Sequence, residues 1–464
     1  MSSRPRARSA GPRRSPGPAS PSPTPHAAVA DARLAEDGTD ARIRWFRALL
    51  AACFLGSLTL SPLLWLTGRD YPLVPLLDGL PQPPPPADAV LLAAMGVSLV
   101  GAAVAKRPRR FLQAVLGIGA LWALLDQTRW QPYFAYYLVA ALCLLLAEGA
   151  EPRARRAWAL APFQLLVCCM YVYSGLHKLN HHYLTTDFRL TAAPVLRWLS
   201  LRPASLPASL AAGLALLSAA LELGFGVLLF TPRLRRVAVV GLTLMHGFIL
   251  ASIGPLGQDY NRVVWPWNLA AIAALWLLFW PDGTGTQLAG FARAWRRHPL
   301  GGAAREKPDA LPRPLALAWG AVLLVFGLLP ALSFAGGWYA SLSFQLYAGK
   351  ERIALINYDA RRQDALPPAA LRAAATPGQV NLLAWSLAEL GATPVLEDRV
   401  LLRIGRSLAR RAPEANVAVI VGGPPALTTG ERRTRYFVFP PPGFEPVDAS
   451  DRFDVQIHEQ TSVP

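Results

Sequence analysis

The sequence predicts an all-α polytopic membrane domain of about nine transmembrane helices, followed by a small α+β extracytoplasmic domain. Three observations predict it. The 464 residues are 53% hydrophobic and only 16% charged, too little charge to cover a soluble chain of this length. Nine apolar runs of roughly bilayer-spanning length follow one another from residue 45 to residue 334. Between them, Arg and Lys gather in short clusters at Lys106–Arg110, Arg153–Arg156, Arg233–Arg236 and Arg293–Arg297, as the positive-inside rule expects of cytoplasmic connections.

The first 44 residues read as a disordered basic cytoplasmic tail, rich in Ser, Pro and Arg up to about residue 30. No signal peptide is expected, because the first apolar run starts only near Trp45 and is long enough to span by itself. Arg42, Arg44 and Arg47 before it place the N-terminus inside. The runs are 45–66, 87–105, 111–125, 133–148, 157–178, 206–230, 237–255, 265–281 and 314–334, of which 111–125 and 133–148 are short. Counted from a cytoplasmic start, the connections 106–110, 149–156, 231–236 and 282–313 fall inside, and they hold the four basic clusters. The first outer connection, 67–86, carries one Arg and the stiff run Pro83–Pro86. The outer connection 179–205 breaks the charge pattern with Arg189, Arg197 and Arg202, which a loop carrying function tolerates.

Beyond Phe334 the composition changes. Residues 335–464 form the predicted extracytoplasmic α+β domain, with strands at 416–421 and 435–439 and helices at 379–391 and 400–410. About 130 residues suffice for a small domain with its own core.

Composition also excludes. The net charge of +17 is scattered among the connections and forms no continuous basic face, so no nucleic-acid partner is expected. Cys53, Cys143, Cys168 and Cys169 lie inside apolar runs with no C-x-x-C spacing, which argues against thiol–disulfide chemistry and for small apolar residues in helices.

Chemistry-bearing residues collect at the outer ends of the third to eighth runs. Asp126, Trp130 and Tyr133 follow the third; Tyr173, His177, Lys178, His181 and His182 end the fifth; Glu222 lies in the sixth and His246 in the seventh. Ionisable groups at membrane depth are costly and face a cavity or a partner. Lys178 reads either as a desolvated general base or as a lysine snorkelling to the headgroups, and residue chemistry by itself favours the second. His177 and His181 share a helix face only if the helix runs past Asn180. A third fixed ligand is lacking, so no metal is assigned. Ser252-Ile253-Gly254 and Gly257 after His246 mark a break suited to a re-entrant bend lining a cavity.

Several of these stretches resemble one family. Leu125-Asp126-Gln127-Thr128-Arg129-Trp130 is similar to the corresponding region of vitamin K-dependent gamma-glutamyl carboxylases, whose bacterial relatives are the horizontally transferred transmembrane (HTTM) domain proteins. Tyr173-Ser174-Gly175-Leu176-His177-Lys178-Leu179-Asn180 resembles that family's Gly-x-x-Lys-Leu-Asp/Asn motif. His246 to Gly254 resembles its His followed by Ile-Gly, and Gly337-Trp338-Tyr339 with Leu346-Tyr347 resembles the start of its lumenal domain. Together they cover roughly residues 45–350, and their shared order is more specific than any one of them.

The resemblance implies a helical membrane domain that binds a reduced quinone as cofactor. Lys178 would be the base that deprotonates it, with oxygen then yielding an epoxide and a strong base. His246 would join Lys178 as a catalytic residue, and Asp126, Trp130, Tyr133, Tyr173 and Glu222 would bind substrate. Two departures narrow the expectation to a quinone or lipid-like ligand without glutamate carboxylation. Gln131-Pro132-Tyr133 stands where the carboxylase has polar residues ending in a quinone-contacting His, and the C-terminal domain is shorter, with no recognisable propeptide-binding element. A reading from a different class is a membrane scaffold or accessory protein whose outer domain binds a partner protein.

Overall fold

Each of the nine apolar runs is helical in the computed structural model, which describes residues 25–150, 156–281, 284–297, 299, 311–439 and 456–462. In chain order the helices are α1 (Pro25–Leu60), α2 (Pro85–Val104), α3 (Arg109–Leu125), α4 (Pro132–Glu148), the single turn α5 (Arg156–Ala159) and α6 (Ala161–His177). They continue with α7 (Phe188–Trp198), α8 (Ala208–Leu228), α9 (Arg235–Ile253) and α10 (Val264–Ala274), which runs on as a π-helical turn at Leu275–Phe279. After α11 (Thr284–Arg297) comes α12 (Arg313–Val322), continued to Ala335 by π- and 3-10-helical turns.

Among the described residues, five helices are long and apolar enough to cross a membrane: Gly38–Leu60, Pro85–Val104, Ala208–Leu228, Arg235–Ile253 and Arg313–Ala335. They mark the chain as an integral membrane protein. Their outward faces agree. Val90, Val97 and Val104, seven residues apart on α2, are 67%, 66% and 76% exposed, and α8 and α9 turn Leu217, Leu221 and Leu244 outward. A soluble protein rarely leaves so continuous an apolar sheath in water.

The tail expected up to residue 44 overlaps α1, which begins at Pro25. Alanine-rich sequence from Ala27 onward is strongly helix-forming, and proline is well suited to the first helical position. The remainder of that tail, residues 1–24, lies outside the described residues.

The predicted C-terminal strands and helices appear with shifted bounds. Six strands, β1 (Ile353–Asn357), β2 (Ala374–Thr376), β3 (Gln379–Asn381), β4 (Ala418–Gly422), β5 (Arg432–Val438) and β6 (Gln456–Ser462), form one antiparallel sheet in the order β2-β3-β1-β4-β5-β6. The helices are α13 (Pro368–Arg372), α14 (Leu382–Leu390) and α15 (Asp398–Arg411). On α15, Val400, Leu401, Ile404 and Leu408 recur at helical spacing and are buried in the core with β4 and β5 residues Val419, Val421 and Phe437.

This domain sits on one end of the helical layer and is tied down by polar contacts. Glu389 accepts the backbone N–H groups of Asp70 (2.6 Å) and Tyr71 (3.1 Å), and Gln131 Nε2 donates to the Thr393 carbonyl at 2.8 Å. The N–H of Val263 reaches the Gly391 carbonyl. The connection after α1 and the N-caps of α4 and α10 therefore meet the domain directly, and the candidate site lies at this junction.

Candidate functional site

Small residues set the first part of the site. Along α8, Ala211, Ala215, Ala219 and Gly226 make a buried stripe with Glu222 inside it. A Cβ on Gly175 of α6 would come within 2.5 Å of the Leu223 backbone, and one on Gly226 within 2.9 Å of Val172 N. Only glycine lets the two helices approach this closely. The approach brings Lys178, which caps α6, to Glu222: Lys178 Nζ donates to Glu222 Oε2 at 2.7 Å and to Ser174 Oγ at 2.8 Å. Both side chains are nine-tenths buried.

His246 stands in the same layer. It lies 2.7 Å from the Tyr171 hydroxyl through Nε2 and 2.7 Å from Asn268 Oδ1 through Nδ1, which links α6, α9 and α10. Tyr183 OH meets Ser218 Oγ on α8 at 2.9 Å. Lys178 and Glu222 are thus partners of one another, and His246 is held by Tyr171 and Asn268.

Asp126 is elsewhere. It accepts from Arg69 Nη2 (2.6 Å), Thr128 Oγ1 (2.7 Å), Thr128 N (3.0 Å) and Val74 N (3.1 Å), and it is wholly buried. Arg129, 3.8 Å from the same carboxylate, donates to the carbonyls of Leu64 and Trp65. This knot closes the ends of α1, α3 and α4. Trp130 donates to the Ala123 carbonyl and packs on Tyr339, and Tyr173 OH donates to Gly327 O at 2.7 Å.

The histidines at the end of α6 do not come together. The helix stops at His177, which stacks on Phe334 at 4.3 Å between ring centroids. His181 is exposed, and His182 Nε2 is 3.6 Å from Asp187. No cluster of three metal-binding side chains occurs among the described residues.

Between the helix ends and the C-terminal domain lies a cavity of about 900 Å3, more apolar than polar, with Pro132, Val264, Phe334, Leu346, Leu383 and Val395 among its walls. That is near the upper end of the roughly 300–1,000 Å3 range of small-molecule sites. Leu190 and Leu427, 61% and 48% exposed, belong to the same wall and give it an apolar lip. The break after α9 contributes Ile253, Gln258 and Tyr260, as the glycines there suggested. Of the ionisable and aromatic residues picked from the apolar-run ends, Tyr133 and His182 line the cavity, whereas Lys178, Glu222 and His246 are not among its lining residues.

The cavity wall has features the sequence did not reveal. Tyr347 and Asn261 on the wall, and Phe344 beside it in sequence, hold left-handed backbone angles (φ +48°, +53° and +57°), uncommon for side chains of this size. Asn261 Nδ2 donates to Tyr347 OH at 2.9 Å, which locks two of them together. Tyr133 OH, Trp338 Nε1 and Ser341 Oγ are buried with no hydrogen-bond partner among the described residues. Lys350 is 7% exposed, and its ammonium lies 4.6 Å from the centre of the Phe334 ring. The repeating apolar pattern could not flag Asn261, Ser341 and Lys350, because they lie outside the nine apolar runs.

Gly349 beside Lys350 is needed as glycine. Its φ is +70°, and a Cβ would collide with the Asp187 carboxylate and approach Tyr183 N to 2.9 Å. Gly349→Ala should cost at least about 1–2 kcal/mol from the backbone alone, read as a lowered Tm of the solubilised protein.

Asp187 itself should show in the pH dependence. Burial, with Glu351 adding to it and Arg432 opposing, lifts its carboxyl from an ordinary 3.8 to about 7. A carboxyl whose folded value is raised holds its proton more tightly when folded. Stability therefore falls as pH rises from 3.8 to about 7 and stays level above. Asp187→Asn should flatten this part of the profile, with its largest gain in Tm over wild type at pH 8 and almost none near pH 4.

No family model, curated protein or solved structure matches this chain.

Proposed function

We propose that the protein is a multi-pass membrane protein of the HTTM type whose junctional cavity binds an amphiphile of the lipid or quinone class at the outer leaflet. The observation that carries the reading is the cavity itself. It combines apolar walls, an apolar lip at Leu190 and Leu427, and buried donors without partners at Tyr133, Trp338 and Ser341. Apolar enclosure with a few convergent polar groups is the usual composition of a ligand site.

In this reading the chain crosses the membrane nine times, with its N-terminus cytoplasmic and the C-terminal domain outside, as the four basic connections favour. Reporter fusions after residues 110, 156, 236 and 300 should behave as cytoplasmic and one after residue 350 as external; a cytoplasmic signal at 350 would contradict the topology. Lys178 is assigned as an interhelical bridge. A base must reach the proton it removes; the Lys178 amine is directed to Glu222 and Ser174, and Lys178 is not among the residues lining the cavity. A catalytic role for the site would therefore use groups on the cavity surface.

Organic extraction of the purified full chain, followed by mass spectrometry, tests the binding function. One class of amphiphile should be enriched over the host membrane at close to one molecule per chain. Recovery of only the bulk lipids in bulk proportions would overturn the reading and favour a scaffold whose outer domain binds a partner protein.

A further inference from the structure

The donors on the cavity wall narrow the chemistry of the ligand's head. We propose that the amphiphile carries an anionic head, a phosphate or carboxylate, seated on the Lys350 ammonium; this rests on the cavity reading and deepens it.

An ammonium set into an apolar wall is costly unless a counter-charge or acceptors meet it, and Lys350 as a residue is 7% exposed. Lys350 has neither a hydrogen bond nor an ion pair among the described residues. Its ammonium contacts the face of Phe334, a ring also stacked on His177, and feels the charge of Glu351 beside it in sequence. The carboxylates on the same wall are directed elsewhere. Glu397 accepts from Ala340 N at 2.7 Å and Glu351 accepts from Ala348 N at 2.9 Å, while Asp187 Oδ2 lies 3.6 Å from His182 Nε2 and has no hydrogen bond among the described residues.

Besides Asp187 Oδ2, the other buried polar atoms without a partner on this wall can donate. The indole N–H of Trp338 can only donate, and the hydroxyls of Tyr133 and Ser341 both lack acceptors. Three neutral donors and one cation ask for a head rich in acceptors, and charge-assisted bonds are the strong ones. Burial also pushes the Lys350 amine down, with Glu351 opposing, a displacement that an anion on the amine would reverse. Apolar walls reaching the Leu190 and Leu427 lip suit an acyl or alkyl chain behind that head. A free inorganic anion would gain nothing from them.

The test uses the full chain in phosphatidylcholine nanodiscs, with hexadecyl phosphate and hexadecanol each carrying a diazirine at the chain end. Photolabelling of cavity peptides is read against concentration. The phosphate should label at about tenfold lower concentration than the alcohol, the scale of one charge-assisted hydrogen bond. Lys350→Met should remove that advantage and leave labelling by the alcohol unchanged, which also reports that the cavity is intact.

Equal labelling by the two probes in the wild type, or an advantage retained in Lys350→Met, overturns the anionic head while leaving an amphiphile site. Failure of both probes to label the cavity overturns both. Displacement of the phosphate probe by millimolar inorganic phosphate would assign Lys350 to a free anion and contradict the lipid source. The wild-type comparison decides the question even where the variant fails to fold.

Discussion

Lys178→Ala is expected to lower stability by roughly 3–5 kcal/mol, the usual consequence of removing one member of a buried ion pair. Glu222 would be left nine-tenths buried between α6 and α8, and its partner at 2.7 Å would be gone. Much of that loss comes from the orphaned charge, so the double variant Lys178→Met with Glu222→Leu should recover most of it. Thermal unfolding of the solubilised chain and the yield of folded protein measure both. Lys178→Arg should be milder than Ala, since it keeps the charge, although its longer planar group must fit against Ser174. Ligand binding that persists in the double variant would support the bridging role. Binding lost in the double variant, despite recovered stability, would return Lys178 to the site.

Asp126→Ala should be as damaging, again by roughly 3–5 kcal/mol. Its carboxylate is the acceptor for Arg69, for both the hydroxyl and the N–H of Thr128, and for Val74 N. Removing it leaves two buried guanidinium groups, Arg69 and Arg129, facing each other without their counter-charge. Asp126→Asn should recover part of the loss by keeping an acceptor. A variant that folds normally yet releases its ligand would instead place Asp126 among the binding residues.

These two cases show what could be read from the sequence. The helices were legible because continuous apolar runs leave little alternative at membrane depth. Their ends were less so: the start of α1 at Pro25 depends on alanine-rich residues that also occur in flexible tails. Asp126 and Lys178 stood out as ionisable residues beside apolar runs, but their partners did not. Arg69 is the single basic residue of a proline-rich connection and looks like an ordinary loop charge, yet it is buried on Asp126. Glu222 was visible, but its pairing with Lys178 depends on how closely Gly175 and Gly226 let α6 and α8 approach. Lys350 was the least legible. In Ala348-Gly349-Lys350-Glu351 nothing separates it from a solvent-exposed lysine, yet it is buried against Phe334. The left-handed backbone at Phe344 and Tyr347 is likewise imposed by packing, since neither residue type favours it.

The most direct measurement of the central claim is an electron cryo-microscopy map of the full chain in nanodiscs made from its native lipids. The account predicts continuous elongated density inside the cavity between the helix ends and the C-terminal domain. Its polar end should lie within hydrogen-bonding distance of Lys350 and Tyr133, and its tail should pass between Leu190 and Leu427. A cavity closed by the surrounding side chains, or one holding only discrete water peaks, would contradict it.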